Sequence, residues 1–262
     1  MKLLIKLGGT LLDSVESRKR LSSEISVLQS QGAQVVVVHG GGKQMTRFLS
    51  DRGVESRFVG GLRVSTPEVI DAVLKVLSGT VNHELVASLV AAGAKAVGLS
   101  GIDASLTEAE PMHADLGAVG RPVRSNTALL DLLTTNGYLP VVACVAGDKQ
   151  GAIYNVNADQ MAVACAIGFK ADRLIFLTDV EGVKGPNGVV MEQLTPADCE
   201  KLISEGVATG GMQAKLNAAT DALKGGIAQV VIAPGSFERA AERILGGDPI
   251  GTRLVAESSI HA

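Results

Sequence analysis

The sequence predicts an α/β fold, a three-layer αβα sandwich around a mainly parallel central sheet. Hydrophobic residues make up 46% of the 262 residues, with 31 glycines and only 3% aromatic residues, which is typical of Val, Ile and Leu strands joined by tight turns. Short apolar runs alternate along the chain with longer stretches of helical periodicity. The first two runs each end in consecutive glycines and lead into a helix, as a βαβα unit does.

The first two predicted strands carry the glycines. Residues 3–7 form an apolar run that contains Lys6 and ends at Gly8-Gly9, and residues 33–38 form a β-branched run that ends at His39-Gly40-Gly41-Gly42. Glycines let the backbone approach a ligand closely, and the helix that follows aims its first N–H groups at an anion. Two such corners side by side predict a phosphate cradle. For either corner alone, a plain chain turn is an equally good interpretation.

Residues 56–65 predict a hairpin, because two short apolar segments flank a turn at Gly60-Gly61. Arg63, in the second strand, is a candidate clamp for a substrate carboxylate, since a guanidinium can bind both carboxylate oxygens. The alternative from this pattern alone is a solvated strand arginine. Thr66 then predicts an N-cap, followed by Pro67 at the first helical position. This helix is predicted to reach residue 91, and its apolar residues cover two sides, which indicates a subunit interface.

The remaining elements follow in the same way. Residues 95–99 predict a strand, residues 100–124 loops or a second irregular hairpin, residues 125–136 a helix, and residues 139–145 a buried strand. A domain boundary is predicted near residues 147–151, which divides the chain into residues 1–150 and 151–262. Helices are also predicted over residues 14–31, from the second glycine corner to 51, around 162–167, from Thr195, after Gly211 and over 237–245, and strands over 173–178, 229–233 and 252–255.

Charge and cysteine content exclude several classes of protein. A net charge of −3 and a pI near 5.8 give no basic surface for nucleic acid or an anionic membrane. The three cysteines, Cys144, Cys165 and Cys199, are far apart and form no CxxC motif, so we expect buried reduced thiols and no metal site. The sequence shows no signal segment and no apolar run long enough to span a bilayer, so we expect a cytoplasmic protein.

The polar groups best suited to bind phosphate and carboxylate lie in a few short motifs. The central one is Asn155-Val156-Asn157-Ala158-Asp159, and neither a GxxxxGK[ST] P-loop nor a GxGxxG after a strand is present. The order KLGG, HGGG, GLRVS, NVNAD, TDVEGV and GGMQAK resembles the amino acid kinase family across residues 2–255. KLGG and HGGG alone would fit carbamate, uridylate and aspartate kinases as well. GLRVS and NVNAD together point to the branch that phosphorylates N-acetyl-L-glutamate in arginine biosynthesis.

The resemblance implies a role for particular residues. Those implied to hold the acetylated amino acid are Gly41, Gly42, Arg63 and Asn155. Those implied to contact the phosphates of ATP are Lys6, Gly8, Gly9 and Lys215, with Asp159 orienting the two lysines. Those implied to surround the nucleotide are Asp179, Val180, Glu181, Gly182, Val183, Lys184, Val207, Ala208 and Thr209. It also implies Mg²⁺ held mostly by the phosphates, an acyl-amino-acid-binding and dimerisation lobe in residues 1–150, a nucleotide-binding lobe in residues 151–262, and a homodimer.

The implied chemistry needs charge compensation rather than a base. A glutamate side chain has a pKa of about 4.3, so the acceptor carboxylate is ionised at neutral pH, and Lys6 and Lys215 are expected to flank the transferring phosphoryl group. The alternatives from the residues alone are an edge-strand lysine for Lys6, a solvated helix lysine for Lys215 and a helix cap for Asp159. Two other functions stay open: a kinase for another acylated or carrier-bound amino acid, such as an aminoadipate derivative in lysine biosynthesis, and a non-catalytic sensor.

Two departures from the family bear on regulation and specificity. Arginine-inhibited members carry a helix before the first strand, and the printed sequence begins at that strand, so we expect insensitivity to arginine. The segment Ser100-Gly101-Ile102-Asp103-Ala104 differs from the lysine-glycine form of many members, which leaves the acyl group open.

Overall fold

A computed structural model describes residues 1–256 of the chain. In this range the strands are β1 (Lys2–Leu7), β2 (Gln34–His39), β3 (Phe58–Val59), β4 (Leu62–Arg63), β5 (Ala96–Ser100), β6 (Thr107–Pro111), β7 (Val119–Ser125), β8 (Leu139–Ala143), β9 (Val145–Gly147), β10 (Ile153–Val156), β11 (Arg173–Thr178), β12 (Gln193–Leu194), β13 (Gln229–Pro234) and β14 (Thr252–Val255). The α-helices are α1 (Val15–Ser30), α2 (Gly42–Ser50), α3 (Pro67–Val73), α4 (Asn82–Ala91), α5 (Ala128–Thr135), α6 (Ala158–Phe169), α7 (Pro196–Ser204), α8 (Gly210–Lys224) and α9 (Ala240–Gly246).

The core is a sheet of eight strands in the order β12-β14-β13-β11-β1-β2-β8-β5. Within the described range β14 runs antiparallel to β13, and the other neighbouring pairs are parallel. Helix α1 contacts α4 and α9, whereas α6 contacts α5 and α8, so two helical layers cover the sheet. Leu3, Leu4 and Ile5 of the central strand are fully buried, as a strand covered on both faces requires. The predicted three-layer α/β fold is confirmed.

Four further strands, β6, β7, β9 and β10, form a small closed barrel beside this sheet. The predicted irregular hairpin over residues 100–124 is confirmed, because β6 and β7 pair antiparallel with a register shift at Glu108/Ala109. The single strand predicted over 139–145 is interrupted at Cys144, after which β9 pairs with β10 instead of the main sheet. Both pieces are buried and apolar, so the sequence pattern could not separate them.

The long helix begins as predicted, since the Thr66 side chain accepts a hydrogen bond from the N–H of Val69 and Pro67 is the first helical residue. Its middle was not predicted: Leu74–Val81 is a π-helical segment that joins α3 to α4. Two predicted helix starts were wrong by three residues. Ser125 is still paired in β7, so α5 begins at Ala128.

The start of the last helix, predicted at Phe237, was also wrong by three residues. Arg239 has a left-handed backbone with φ of 53°, which separates Phe237 from the helix, so α9 begins at Ala240. Among residues 1–256 no helix is both long and apolar enough to cross a membrane. The cysteines are free and buried, as expected. The division at about residue 150 stays a prediction, although β10 pairs with β7 and β9, which precede it.

Candidate active site

The two glycine corners meet at one edge of the central sheet. Strands β1 and β2 are parallel with Leu7 opposite His39, so both strands end at the same level. A Cβ added to Gly9 would lie 3.0 Å from the Cα of Gly41, and the side chain of Gln44 donates a hydrogen bond to the carbonyl oxygen of Gly9 at 3.2 Å. Ligands of open α/β sheets bind beyond the carboxyl ends of the strands, which is where these corners lie.

Asp159 joins the two predicted lysines next to these corners. Its Oδ1 lies 2.7 Å from Nζ of Lys6 in β1, and its Oδ2 lies 3.0 Å from Nζ of Lys215 in α8. The side chains of Lys6, Asp159 and Lys215 are 8%, 7% and 16% exposed. The predicted cluster is therefore assembled in space from three separate elements.

The charge of this cluster favours an anion. Burial alone would raise the pKa of the Asp159 carboxyl, but the charges of Lys6 and then Lys215 outweigh it and hold the pKa below its usual range. The cap of α6 is Asn157, whose Oδ1 accepts hydrogen bonds from the N–H groups of Asp159 and Gln160. Asp159 is thus not the helix cap, and its two oxygens face the lysines. Two ammonium groups against one carboxylate leave one net positive charge in the cluster.

A cavity of about 230 Å³ opens between the glycine corners and the β3–β4 hairpin. Among the residues that line it are the predicted Lys6, Gly9, Gly41, Gly42, Arg63 and Asn155. The Asn155 amide donates to Ser65 Oγ at 3.0 Å, which fixes the plane of the amide beside the cavity. The structure therefore gathers all four residues that were predicted to hold the acetylated amino acid.

Arg63 is held in place from several sides. Its Nη2 donates to Thr46 Oγ1 at 2.8 Å and to the carbonyl oxygen of Gly42 at 3.1 Å, and its Nη1 contacts Ser56 Oγ. Its guanidinium carbon lies 4.7 Å from the ring centre of Phe58, which is a cation–π distance. These contacts orient a planar cation at the cavity wall, as a carboxylate clamp requires.

Gly8 differs from the other predicted glycines. Its N–H donates to the carbonyl oxygen of Leu177 at 2.9 Å, and a Cβ there would lie 3.3 Å from the same oxygen. Gly8 therefore allows β1 and β11 to approach each other closely. Its predicted contact with phosphate stays a prediction.

The residues predicted to surround the nucleotide follow β11 and precede α8. Asp179, Val180, Glu181, Lys184 and Thr209 are exposed. The side chains at 183 and 208 are buried, so a nucleotide would meet those two positions through the main chain. The remaining two predicted residues of this group are the buried Gly182 and the half-buried Val207. All these contacts stay predictions.

Two buried residues beside the site, His39 and Asn82, had been assigned no role from sequence. His39 was noticed only as part of its motif, and Asn82 only as one residue of a long helix; both are buried and contact each other. A polar residue within an apolar helical stripe, as Asn82 is, was the available signal. Among residues 1–256, no group of three or more His, Cys, Asp or Glu side chains is arranged to hold a metal ion.

Comparison with known proteins places this site in a family. The profile described as "Amino acid kinase family" matches residues 1–234. A protein of Solibacter usitatus named acetylglutamate kinase is 66% identical over 255 residues, covering 97% of this chain and 99% of that protein. An Acidobacterium capsulatum protein of the same name is 43% identical, covering 89% and 91%. The crystal structure of smu.665 from Streptococcus mutans superposes with a TM-score of 0.84 at 28% identity, covering 97% and 98%.

Proposed function

This chain belongs to the amino acid kinase family, and from that membership we propose that it transfers the γ-phosphoryl group of ATP to the side-chain carboxylate of N-acetyl-L-glutamate. The product is an acyl phosphate, and the reaction belongs to arginine biosynthesis. The observation that carries the proposal is the Lys6–Asp159–Lys215 cluster beside a glycine-lined cavity that also contains Arg63 and Asn155.

The acceptor needs no general base. A glutamate side chain has a pKa of about 4.3, so the carboxylate is already the nucleophile at neutral pH. The obstacle is electrostatic, because an anion must approach a phosphoryl group that carries negative charge itself. Catalysis therefore depends on positioning and on charge compensation at the transferring group.

The lysines supply that compensation. Lys6 comes from the strand that ends at the acceptor cavity, and Lys215 from the helix that follows residues 207–209, so the two ammonium groups reach the phosphoryl group from different elements. Asp159 holds both at hydrogen-bonding distance and keeps them apart. A fixed charge costs no reorganisation at the moment of reaction, which is how preorganised donors lower a barrier.

Magnesium enters this scheme with the nucleotide, as the MgATP substrate. Both oxygens of Asp159 face lysines, and the described residues 1–256 contain no cluster of three metal-ligating side chains. Mg²⁺ keeps several waters and binds phosphate oxygens readily, so the phosphates themselves are the expected ligands.

The proposal includes a cytoplasmic homodimer. The surface of the long helix that does not face the core still carries apolar side chains: Leu74 and Val86 are half-buried, and Val90 is 54% exposed. The neighbouring strand β5 is an edge of the eight-stranded sheet, with Val97 and Leu99 half-buried. An edge strand beside an apolar helix face supports a symmetric contact between two copies. Sedimentation of the purified protein tests the dimer.

The activity is tested by trapping the acyl phosphate with hydroxylamine in the presence of ATP and Mg²⁺. The acceptors to compare are N-acetylglutamate, glutamate, N-acetylaspartate and N-acetylaminoadipate. The expected result is hydroxamate formed chiefly from N-acetylglutamate, at a rate lower by about 10²-fold or more in Lys215→Ala. A preference for N-acetylaminoadipate would assign the same mechanism to another acceptor, and silence with all four acceptors would contradict the proposal.

A further inference from the structure

His39 is the last residue of β2 and the first of the second glycine corner, and the scheme above gives it no role. Its side chain is completely buried. Ring atom Nδ1 lies 2.9 Å from the carbonyl oxygen of Gly40, and Nε2 lies 3.0 Å from the side-chain nitrogen of Asn82, the first residue of α4. The imidazole therefore connects the glycine corner to the long helix.

The contacts of Asn82 determine which ring nitrogen carries a hydrogen. Asn82 Nδ2 lies 2.9 Å from the carbonyl oxygen of Val141, which can only accept a hydrogen bond, so the amide nitrogen must face it. The second amide hydrogen then points to Nε2 of His39, which accepts. The carbonyl oxygen of Gly40 can also only accept, so Nδ1 of the ring carries the hydrogen and donates it.

The imidazole in this network is neutral. A hydrogen on Nε2 would be directed at the hydrogens of the Asn82 amide. Burial, together with the charge of Lys6, lowers the pKa of His39 to about 4. The hydrogen bond to Gly40 opposes this shift but is the smaller effect. The ring therefore donates from Nδ1 and accepts at Nε2 throughout the neutral pH range.

The direction of the Gly40 carbonyl sets the direction of a neighbouring donor. The carbonyl of Gly40 and the N–H of Gly41 belong to one planar trans peptide, so they point in opposite directions. His39 holds the carbonyl against the buried ring. The N–H of Gly41 then points away from that ring, and Gly40, Gly41 and Gly42 all line the 230 Å³ cavity.

We propose that His39, oriented by Asn82, is a positioning residue that fixes the Gly40–Gly41 peptide so that the N–H of Gly41 donates to an oxygen of the reacting carboxylate. This inference deepens the proposed function and rests on it for the identity of the substrate. A flipped peptide would present the carbonyl oxygen of Gly40 to the carboxylate and repel it. A flip would therefore slow the chemical step, because the N–H of Gly41 must face the carboxylate charge that moves during transfer.

Two substitutions separate this role from general support of the fold. The amide nitrogen of His39→Asn occupies the place of Nδ1 and can donate to Gly40, but it loses Asn82. The longer side chain of His39→Gln places its amide near Nε2, so it keeps Asn82 but loses Gly40. Both variants remove the ring, and we expect similar losses in Tm. We expect kcat to stay near the wild-type value in His39→Asn and to fall roughly 10²-fold in His39→Gln, with little change in the KM for ATP.

Equal losses of kcat in the two variants, or a larger loss in His39→Asn, would overturn the proposal. A second measurement, ¹⁵N NMR of the ring nitrogens, does not depend on turnover. Of the four histidines, one is expected to show a neutral ring with the hydrogen on Nδ1 that is unchanged between about pH 5.5 and 8.5. A His39 ring protonated on Nε2 at neutral pH would overturn the inference. If the wild type lacks turnover, the proposed function fails. The ring spectrum alone then decides whether His39 fixes the Gly40–Gly41 peptide.

Discussion

The proposed acceptor side and the proposed nucleotide side of this site are built differently. On the acceptor side, Arg63 is held by Thr46 and Gly42. On the nucleotide side, the pair between Lys184 and Glu181 is 3.3 Å long, and the two side chains are 56% and 71% exposed. The acceptor side is thus fixed by internal contacts before a ligand binds, whereas the nucleotide side presents exposed side chains to solvent.

This difference predicts where catalytic precision resides. A donor locked by hydrogen bonds keeps its direction during the reaction, and an exposed pair does not. Substitutions on the acceptor side should therefore alter kcat or the KM for N-acetylglutamate strongly, and substitutions among the exposed nucleotide-side residues should alter the KM for ATP weakly. Lys6 and Lys215 approach from the two sides and meet at Asp159. Substituting each of them therefore tests whether the effect falls on kcat or on the KM for ATP.

The largest effect is expected from the two lysines. Lys6→Ala and Lys215→Ala should each lower kcat by about 10²-fold or more, because each removes a fixed positive charge from the transferring phosphoryl group. Steady-state kinetics with N-acetylglutamate and MgATP measures the effect. Matched controls are Lys2→Ala in the same strand as Lys6 and Lys224→Ala in the same helix as Lys215. If Lys215→Ala raised only the KM for ATP, that lysine would belong to the nucleotide side alone.

The buried histidine of the acceptor side predicts a pH dependence of stability. The folded pKa of His39 is about 4, against about 6.5 when unfolded, so between these values the unfolded chain binds a proton that the folded chain does not. Stability should therefore fall as the pH is lowered through this window, by up to about 3 kcal/mol. Urea unfolding of the wild type and of His39→Asn at several pH values measures it. The variant should lack this component, and identical pH profiles would contradict the prediction.

The sequence predicted seven of the eight strands of the central sheet and the residues of the charged cluster, since each glycine corner and each lysine lies in a short motif. It did not predict the short strands β10 and β12. It could not predict the contact between His39 and Asn82, because those residues are far apart in the chain and meet only when α4 packs on β2 and β8. The interruption at Cys144 could not be predicted either, since both flanking strands are buried and apolar. Local patterns report periodicity, whereas the partner of a buried polar group is set by tertiary packing.

A smaller effect is expected from the carboxylate clamp. Arg63→Ala should raise the KM for N-acetylglutamate roughly ten- to hundredfold, since a hydrogen bond to a charged group contributes about 1.5–3 kcal/mol. The KM for ATP should change little. The matched control is Arg57→Ala, an exposed arginine just before the same hairpin. Equal effects of the two substitutions would show that the hairpin, and not the guanidinium of Arg63, sets the affinity.

The smallest effect is expected on the nucleotide side. Lys184→Ala removes an exposed ion pair and a charge near the predicted nucleotide, so the KM for ATP should rise at most about fivefold, because exposed pairs contribute about 0–1 kcal/mol. Added salt should shrink the difference from the wild type, since exposed charges are screened. Kinetics at two salt concentrations measures this, with Lys201→Ala in α7 as the exposed control. A loss of kcat as large as that of Lys6→Ala would mean that the nucleotide side becomes as ordered as the acceptor side once ATP binds.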